Sequence, residues 1–236
     1  MRPTDLLADV WHLATRWPAA VFSRVRAEGW RRPAPGADRE CAAVPVVLLP
    51  GIYEPWRYLG PLGRALHDAG HPVHVVEELG FNVRDLPRSV AAVRGVLLRD
   101  DAAGAVLVGH SKGGLIGKAV LLDPVAGRRA RGLVTLNTPF AGSRWALPGL
   151  GLRWTPLGMF VPSGPTITSL AAQAGVNARI TSIRASWDQM VPGATELPGA
   201  TNRTLDVGGH FRPLVDAGVH RLVHDEVHRL APPQGE

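Results

Sequence analysis

Gly109-His110-Ser111-Lys112-Gly113 is the stretch of this 236-residue chain whose residue types and spacing most sharply prescribe chemistry. The pattern G-x-S-x-G sets a serine on a tight strand-to-helix turn, with glycines two before and two after it so that neighbouring backbone can pass close by. Ala105-Val106-Leu107-Val108 reads as a strand, and Lys112 to Leu122 as a helix that stops before Pro124, so the motif has the context it requires. Ser111 Oγ would then stand at the C-terminal edge of a sheet, over a helix end that favours developing negative charge.

A serine hydroxyl is a weak nucleophile and needs a base. Of nine histidines, His210 in Gly208-Gly209-His210-Phe211 is expected at the same sheet edge, between the last strand and the last helix. The orienting acid should follow the preceding strand, where Asp188 stands in Ser186-Trp187-Asp188-Gln189-Met190. Asp206 is the rival, but the reading puts it inside the last strand; Asp123, at the end of the helix after Ser111, is poorly placed. The oxyanion donors are expected to be two backbone N–H groups, of Lys112 and of Ile52 in the turn Pro50-Gly51-Ile52-Tyr53. The Lys112 side chain reads as a solvated stem, with a reach to an acidic partner or a substrate carboxylate as the alternative. His110 adjoins the nucleophile and should point away from it. His220, His224 and His228 recur every four residues, a spacing that metal ligands also show. No carboxylate motif accompanies them, so they read as one helix face, and no metal or cofactor is expected.

The elements that must position these groups alternate. Residues 4 to 28 read as an amphipathic helix through Leu6, Val10, Leu13, Trp17 and Val21, and residues 31 to 43 as a Pro- and Gly-rich connection. From Val44 onward strands are expected at residues 46–49, 73–76, 105–108, 132–136, 180–185 and 204–207, and helices at 56–69, 86–99, 112–122 and 213–230. Residues 139 to 177 form an insertion. The division is a helix and linker over residues 1–43 and a catalytic domain over residues 44–236. Short wholly apolar strands separated by helices imply an α/β fold with a parallel sheet covered on both faces.

At these residues the chain resembles the α/β-hydrolase superfamily, and within it small bacterial lipase- and esterase-like members, over roughly Val44 to Leu230. Residues 46–52 resemble the first core strand and oxyanion turn, and Gly109 to Gly114 the nucleophile elbow. Leu136-Asn137-Thr138-Pro139-Phe140-Ala141-Gly142-Ser143 is similar to a T-P-H-x-G-S segment, with Phe140 in place of histidine. Asp188 to Pro192 resembles the acid loop, and Gly209-His210-Phe211 the histidine turn. The resemblance implies a minimal, mostly parallel sheet of about six strands, in the order 4-3-5-6-7-8 of the family's labels. It implies a serine carboxylic-ester hydrolase with Ser111 as nucleophile, His210 as base and Asp188 as orienting acid. Transfer of the acyl group to another acceptor and a non-catalytic binding protein are the alternatives.

The insertion lies where such enzymes carry a short lid. Trp154 to Ala178 contains no charged residue, so the lid is read as apolar and implies a small-molecule ester or lipid-like substrate. Tyr53, Phe140, Trp145, Trp154, Met159 and Phe160 are the expected substrate-binding residues; capping of the core is the alternative for the lid side chains. The N-terminal helix docks on its own domain in the default reading; docking on the same mouth as the lid, pairing with another subunit and contact with a lipid surface are the alternatives.

The formal net charge of +6 raises the question of nucleic acid, but the arginines form no dense run, so none is expected. Cys41, a single cysteine, excludes an intrachain disulfide framework. Asp5 and Asp9 interrupt any apolar signal core, so a cytoplasmic location is expected. Oligomeric state is left open.

Overall fold

The computed structural model describes residues 3–22, 28–34, 44–146, 155–192 and 196–231. Wholly apolar runs make the centre of the sheet. Strand β1 (Val46–Leu49) and strand β3 (Ala105–His110) have every side chain buried, because a parallel sheet is covered on both faces. Their alternation divides the core in two. Val46, Leu48, Val106 and Val108 face one layer, and Val47, Leu49 and Leu107 face the other.

The remaining strands are β2 (Val73–Val75), β4 (Ala130–Leu136), β5 (Ile180–Arg184) and β6 (Thr201–Thr204). All pairings are parallel, in the order β2-β1-β3-β4-β5-β6. With β1 to β6 standing for the labels 3 to 8, this is the expected order. β6 lies three residues earlier than expected. Its sequence Thr-Asn-Arg-Thr is polar and half-exposed, as suits a sheet edge, and lacked the apolar signature by which the others were read. Asp206 consequently follows the strand instead of lying within it.

The helices are α1 (Pro3–Phe22), α2 (Gly60–Asp68), α3 (Leu86–Leu97), α4 (Lys112–Leu122), α5 (Ala126–Arg129), α6 (Pro165–Ala172) and α7 (Ala217–Leu230). The expected helix at 56–69 begins as a 3-10 turn over Trp56–Leu59. That at 213–230 divides at Asp216, whose carboxylate caps α7 by accepting from Val219 N–H at 3.0 Å. Side chains of α2 and α7 fill one core layer, and those of α3 and α4 fill the other. Ala20 of α1 joins the first layer, with Leu13 and Trp17 packed against it. No described helix is long and apolar enough to cross a membrane.

Candidate active site

Ser111 sits between β3 and α4 with φ 50° and ψ −117°, a sparsely populated conformation for a residue bearing a side chain. Close packing holds it there. A Cβ on Gly113 would lie 2.0 Å from the Leu49 carbonyl oxygen, so only glycine lets α4 approach the end of β1. Ser111 N–H donates to the Leu136 carbonyl at 2.9 Å, and Thr138 Oγ1 donates to the Ser111 carbonyl at 3.0 Å.

Asp188 and His210 are together. His210 Nδ1 lies 2.7 Å from Asp188 Oδ2, and both side chains are almost fully buried. The other oxygen of Asp188 accepts from Met190 N–H at 2.7 Å and Val191 N–H at 2.9 Å. Burial alone would raise the Asp188 pKa. The His210 contact and the two amides outweigh it and hold the carboxyl below its ordinary value. Ser111 and His210 line one cavity of about 510 Å³.

The backbone of His210 is held from two sides. Asp9 of α1 is fully buried; its carboxylate accepts from the N–H groups of His210 at 3.0 Å, Phe211 at 2.9 Å and Arg212 at 2.8 Å, and from the Gln189 side chain. The same carboxylate crowds Gly209, where φ is +104° and a Cβ would lie 2.5 Å from Asp9 Oδ1. On the other side the His210 carbonyl accepts from Asn137 Nδ2 at 3.0 Å and faces His110 Nε2 at 3.1 Å. Asn137 also accepts from Ala185 N–H at 2.8 Å, linking the ends of β4 and β5 to this turn.

His110 points away from the cavity, as expected, but into an ion pair. Its Nδ1 lies 2.9 Å from Glu54 Oε1, with both groups buried. Burial opposes the charged imidazole; the Glu54 carboxylate overrides this and raises the His110 pKa. Glu54 Oε2 accepts Gly51 N–H at 2.7 Å, which, with the His110 pair, fastens the turn after β1 to the end of β3. The Ile52 N–H has no hydrogen-bond partner among the described residues. Tyr53 has φ +60°, and its carbonyl accepts from Trp17 Nε1 of α1 at 2.7 Å.

Lys112 corrects the expectation of a solvated stem. Its side chain is wholly buried, and Nζ donates to the carbonyls of Asn82 at 2.7 Å and Arg84 at 2.6 Å. Asn82 Nδ2 in turn donates to the Pro50 carbonyl at 2.6 Å. The lysine therefore braces the turn after β1 through Asn82, and burial lowers its pKa to about 8.

Of the expected substrate-binding residues, Tyr53 and Phe160 line the cavity. Phe140 and Met159 do not: they pack in a satellite core with Leu115 and Ile167, where apolar insertion residues cover helix α4. Trp154 and the side chain of Trp145 lie outside the described residues. A further wall comes from α1, through Leu13, Ala14, Trp17 and Pro18, and Val191 and Phe211 also line the cavity. The sequence offered docking of this helix on the mouth as one alternative, but it did not single out these residues as lining.

No known protein-family profile matches the chain. A GPI inositol-deacylase of Drosophila melanogaster is 30% identical over 132 residues, covering 48% of this chain and 14% of that much longer protein. Among solved structures, a Bacillus licheniformis lipase in its mature form superposes with a TM-score of 0.64 at 16% identity, covering 83% of this chain and 95% of the lipase. An enol-lactonase of Burkholderia xenovorans gives 0.58 at 18% identity, over 80% of this chain and 93% of the other. A bacterial membrane phospholipase A gives 0.58 at 12% identity, over 95% and 96%. Sheet order, elbow and these superpositions agree, and the chain has the α/β-hydrolase fold.

Proposed function

We propose that this chain is a serine carboxylic-ester hydrolase acting on esters with an apolar acyl group. The observation that carries the reading is the Asp188–His210 pair, 2.7 Å apart, beside the strained Ser111 at the wall of one apolar cavity. The likeness to a lipase, a phospholipase and a deacylase, each named for acyl chemistry, supports it.

In this reading Ser111 Oγ attacks the ester carbonyl carbon while His210 takes the hydroxyl proton. Asp188 accepts from Nδ1, fixes the tautomer and stabilises the imidazolium. The carbonyl oxygen becomes an oxyanion between the N–H groups of Ile52 and Lys112, each such donor contributing roughly 3–4 kcal/mol. Collapse expels the alcohol, which takes the proton from His210, and leaves an acyl group on Ser111. Water then attacks the acyl-enzyme, passing its proton to His210; a second collapse releases the carboxylic acid and returns the proton to Ser111 Oγ. Leu13, Trp17, Phe160, Val191 and Phe211 give the acyl chain an apolar bed.

Labelling with a fluorophosphonate, followed by peptide mass spectrometry and a panel of p-nitrophenyl esters, tests the assignment. The adduct is expected on Ser111, and Ser111→Ala should lose both adduct and turnover while keeping its circular dichroism. Asp188→Asn should lower kcat by about 10⁴-fold. Undiminished hydrolysis by Ser111→Ala would overturn the reading.

A further inference from the structure

Far from Ser111, three histidines converge. His71 lies just before β2, at the N-terminal end of the parallel sheet, whereas Ser111 follows the C-terminal end of β3. His224 and His228 lie one turn apart on α7. One nitrogen from each ring lies within 4.8 Å of the other two. We propose that His71, His224 and His228 bind one borderline divalent cation, zinc in the first instance, as a staple between α7 and the sheet.

The geometry is close to what zinc requires. Neighbouring nitrogens on a tetrahedral zinc are roughly 3.3 Å apart, given Zn–N bonds of about 2.0–2.1 Å. His71 Nε2 and His224 Nδ1 already lie 3.0 Å apart. The third donor is reached by small rotations, since all three rings lie in contact, with centroids 4.5 to 5.1 Å apart.

The outer contacts favour an ion over a mere packing cluster. His71 Nδ1 lies 3.0 Å from the Val44 carbonyl. A carbonyl can only accept, so Nδ1 carries the hydrogen and Nε2 presents a lone pair towards His224 and His228. A backbone carbonyl on the distal nitrogen is the usual second contact of a metal-bound histidine. His228 Nε2 is buried with no hydrogen-bond partner among the described residues, a cost that a metal bond would remove. Metal binding takes the neutral imidazole, in which a hydrogen on Nδ1 leaves the Nε2 lone pair for the ion. His224 and His228 are half-buried, which leaves an entry path and room for water as a fourth ligand. Three imidazoles without carboxylates suit zinc, nickel or copper and not calcium or magnesium.

The sequence pattern that read as a plain helix face thus acquires its third ligand from 153 residues away. The triad is not involved, so the inference stands or falls apart from the proposed activity. The test uses the full chain stripped with chelator. Zinc should bind at one equivalent and raise Tm by several degrees, and magnesium should do neither. Cobalt(II) should give the visible ligand-field bands of a tetrahedral nitrogen site. His224→Gln and His228→Gln should lose the stoichiometric zinc and its Tm shift. His220→Gln should keep both, because His220 Nε2 is engaged with the Leu214 carbonyl. Absence of tight zinc and of cobalt bands in the unaltered chain would overturn the proposal, even if the variants fold poorly. So would zinc retained by folded His224→Gln and His228→Gln.

Discussion

At the scale of single residues, Lys112 shows how one position divides its labour between backbone and side chain. Its amide is the proposed oxyanion donor, and its ammonium holds the Asn82 and Arg84 carbonyls inside the protein. Lys112→Met keeps the apolar stem but leaves those carbonyls without a donor, and should cost about 1–3 kcal/mol of stability. The pH dependence has a definite sign. The folded lysine releases its proton near pH 8, whereas an unfolded one holds it to about 10.5, so between these values the unfolded chain binds more protons. The unaltered chain should therefore gain stability relative to Lys112→Met as pH rises from 8 to 10.5. Urea unfolding of both proteins at the two ends of that window measures this, and an unchanged difference would mean that the ammonium is not penalised in the fold. The residue-scale chemistry was partly legible in advance. The types and chain order of Ser111, Asp188 and His210 are local signals that survive in sequence. The burial of Lys112 is not, because nothing near it announces that the loop at Asn82 will close over it.

At the scale of elements, α1 is the informative case. It stands outside the alternating strands and helices, yet it supplies Asp9 to the histidine turn, the Trp17 indole to the Tyr53 carbonyl, and one wall of the cavity. Asp9→Ala removes the acceptor for three backbone N–H groups and frees the turn that carries His210. A displacement of about 1 Å at a reacting group is enough to lower kcat on the order of 10²-fold, and that is the expected loss, with KM little changed. Comparing kcat per fluorophosphonate-reactive site between Asp9→Ala and the unaltered chain checks it. A merely structural role would lower the amount of reactive protein and leave the per-site rate alone. The sequence made α1 legible as an amphipathic helix, and Asp9 served there only as evidence against a signal peptide. Its partners lie some 200 residues away, and no short-range pattern reports such a contact.

At the scale of the whole molecule, the sheet was read almost entirely from its apolar runs. β1 and most of β3 are apolar runs buried on both faces, so their sequences carry a continuous hydrophobic signal. β6 is an edge, its burial is slight, and its expected position slipped by three residues for that reason. The same logic separates the expected residues that line the cavity from those that do not. Tyr53 belongs to the turn after β1, so its position could be inferred from that motif. Phe140 and Met159 belong to an insertion whose apolar residues must choose between the cavity and the layer over α4, and composition does not record the choice.

The hold of Asp9 on His210 ties the candidate site to a helix that leaves much of its apolar surface in water. Leu7, Val10 and Trp11 are exposed, so α1 gains less from burial than the central strands do. Segments of that kind open in sub-global steps well below the free energy of complete unfolding. When α1 lifts, three N–H groups of the histidine turn lose their shared acceptor at once while the sheet remains intact. Ester cleavage should therefore fade at lower urea than the far-ultraviolet signal of the core, and coincident transitions would show that α1 unfolds only with the rest. The working range of such an enzyme would be set by the detachment of its first helix, and a more stable core would not extend it.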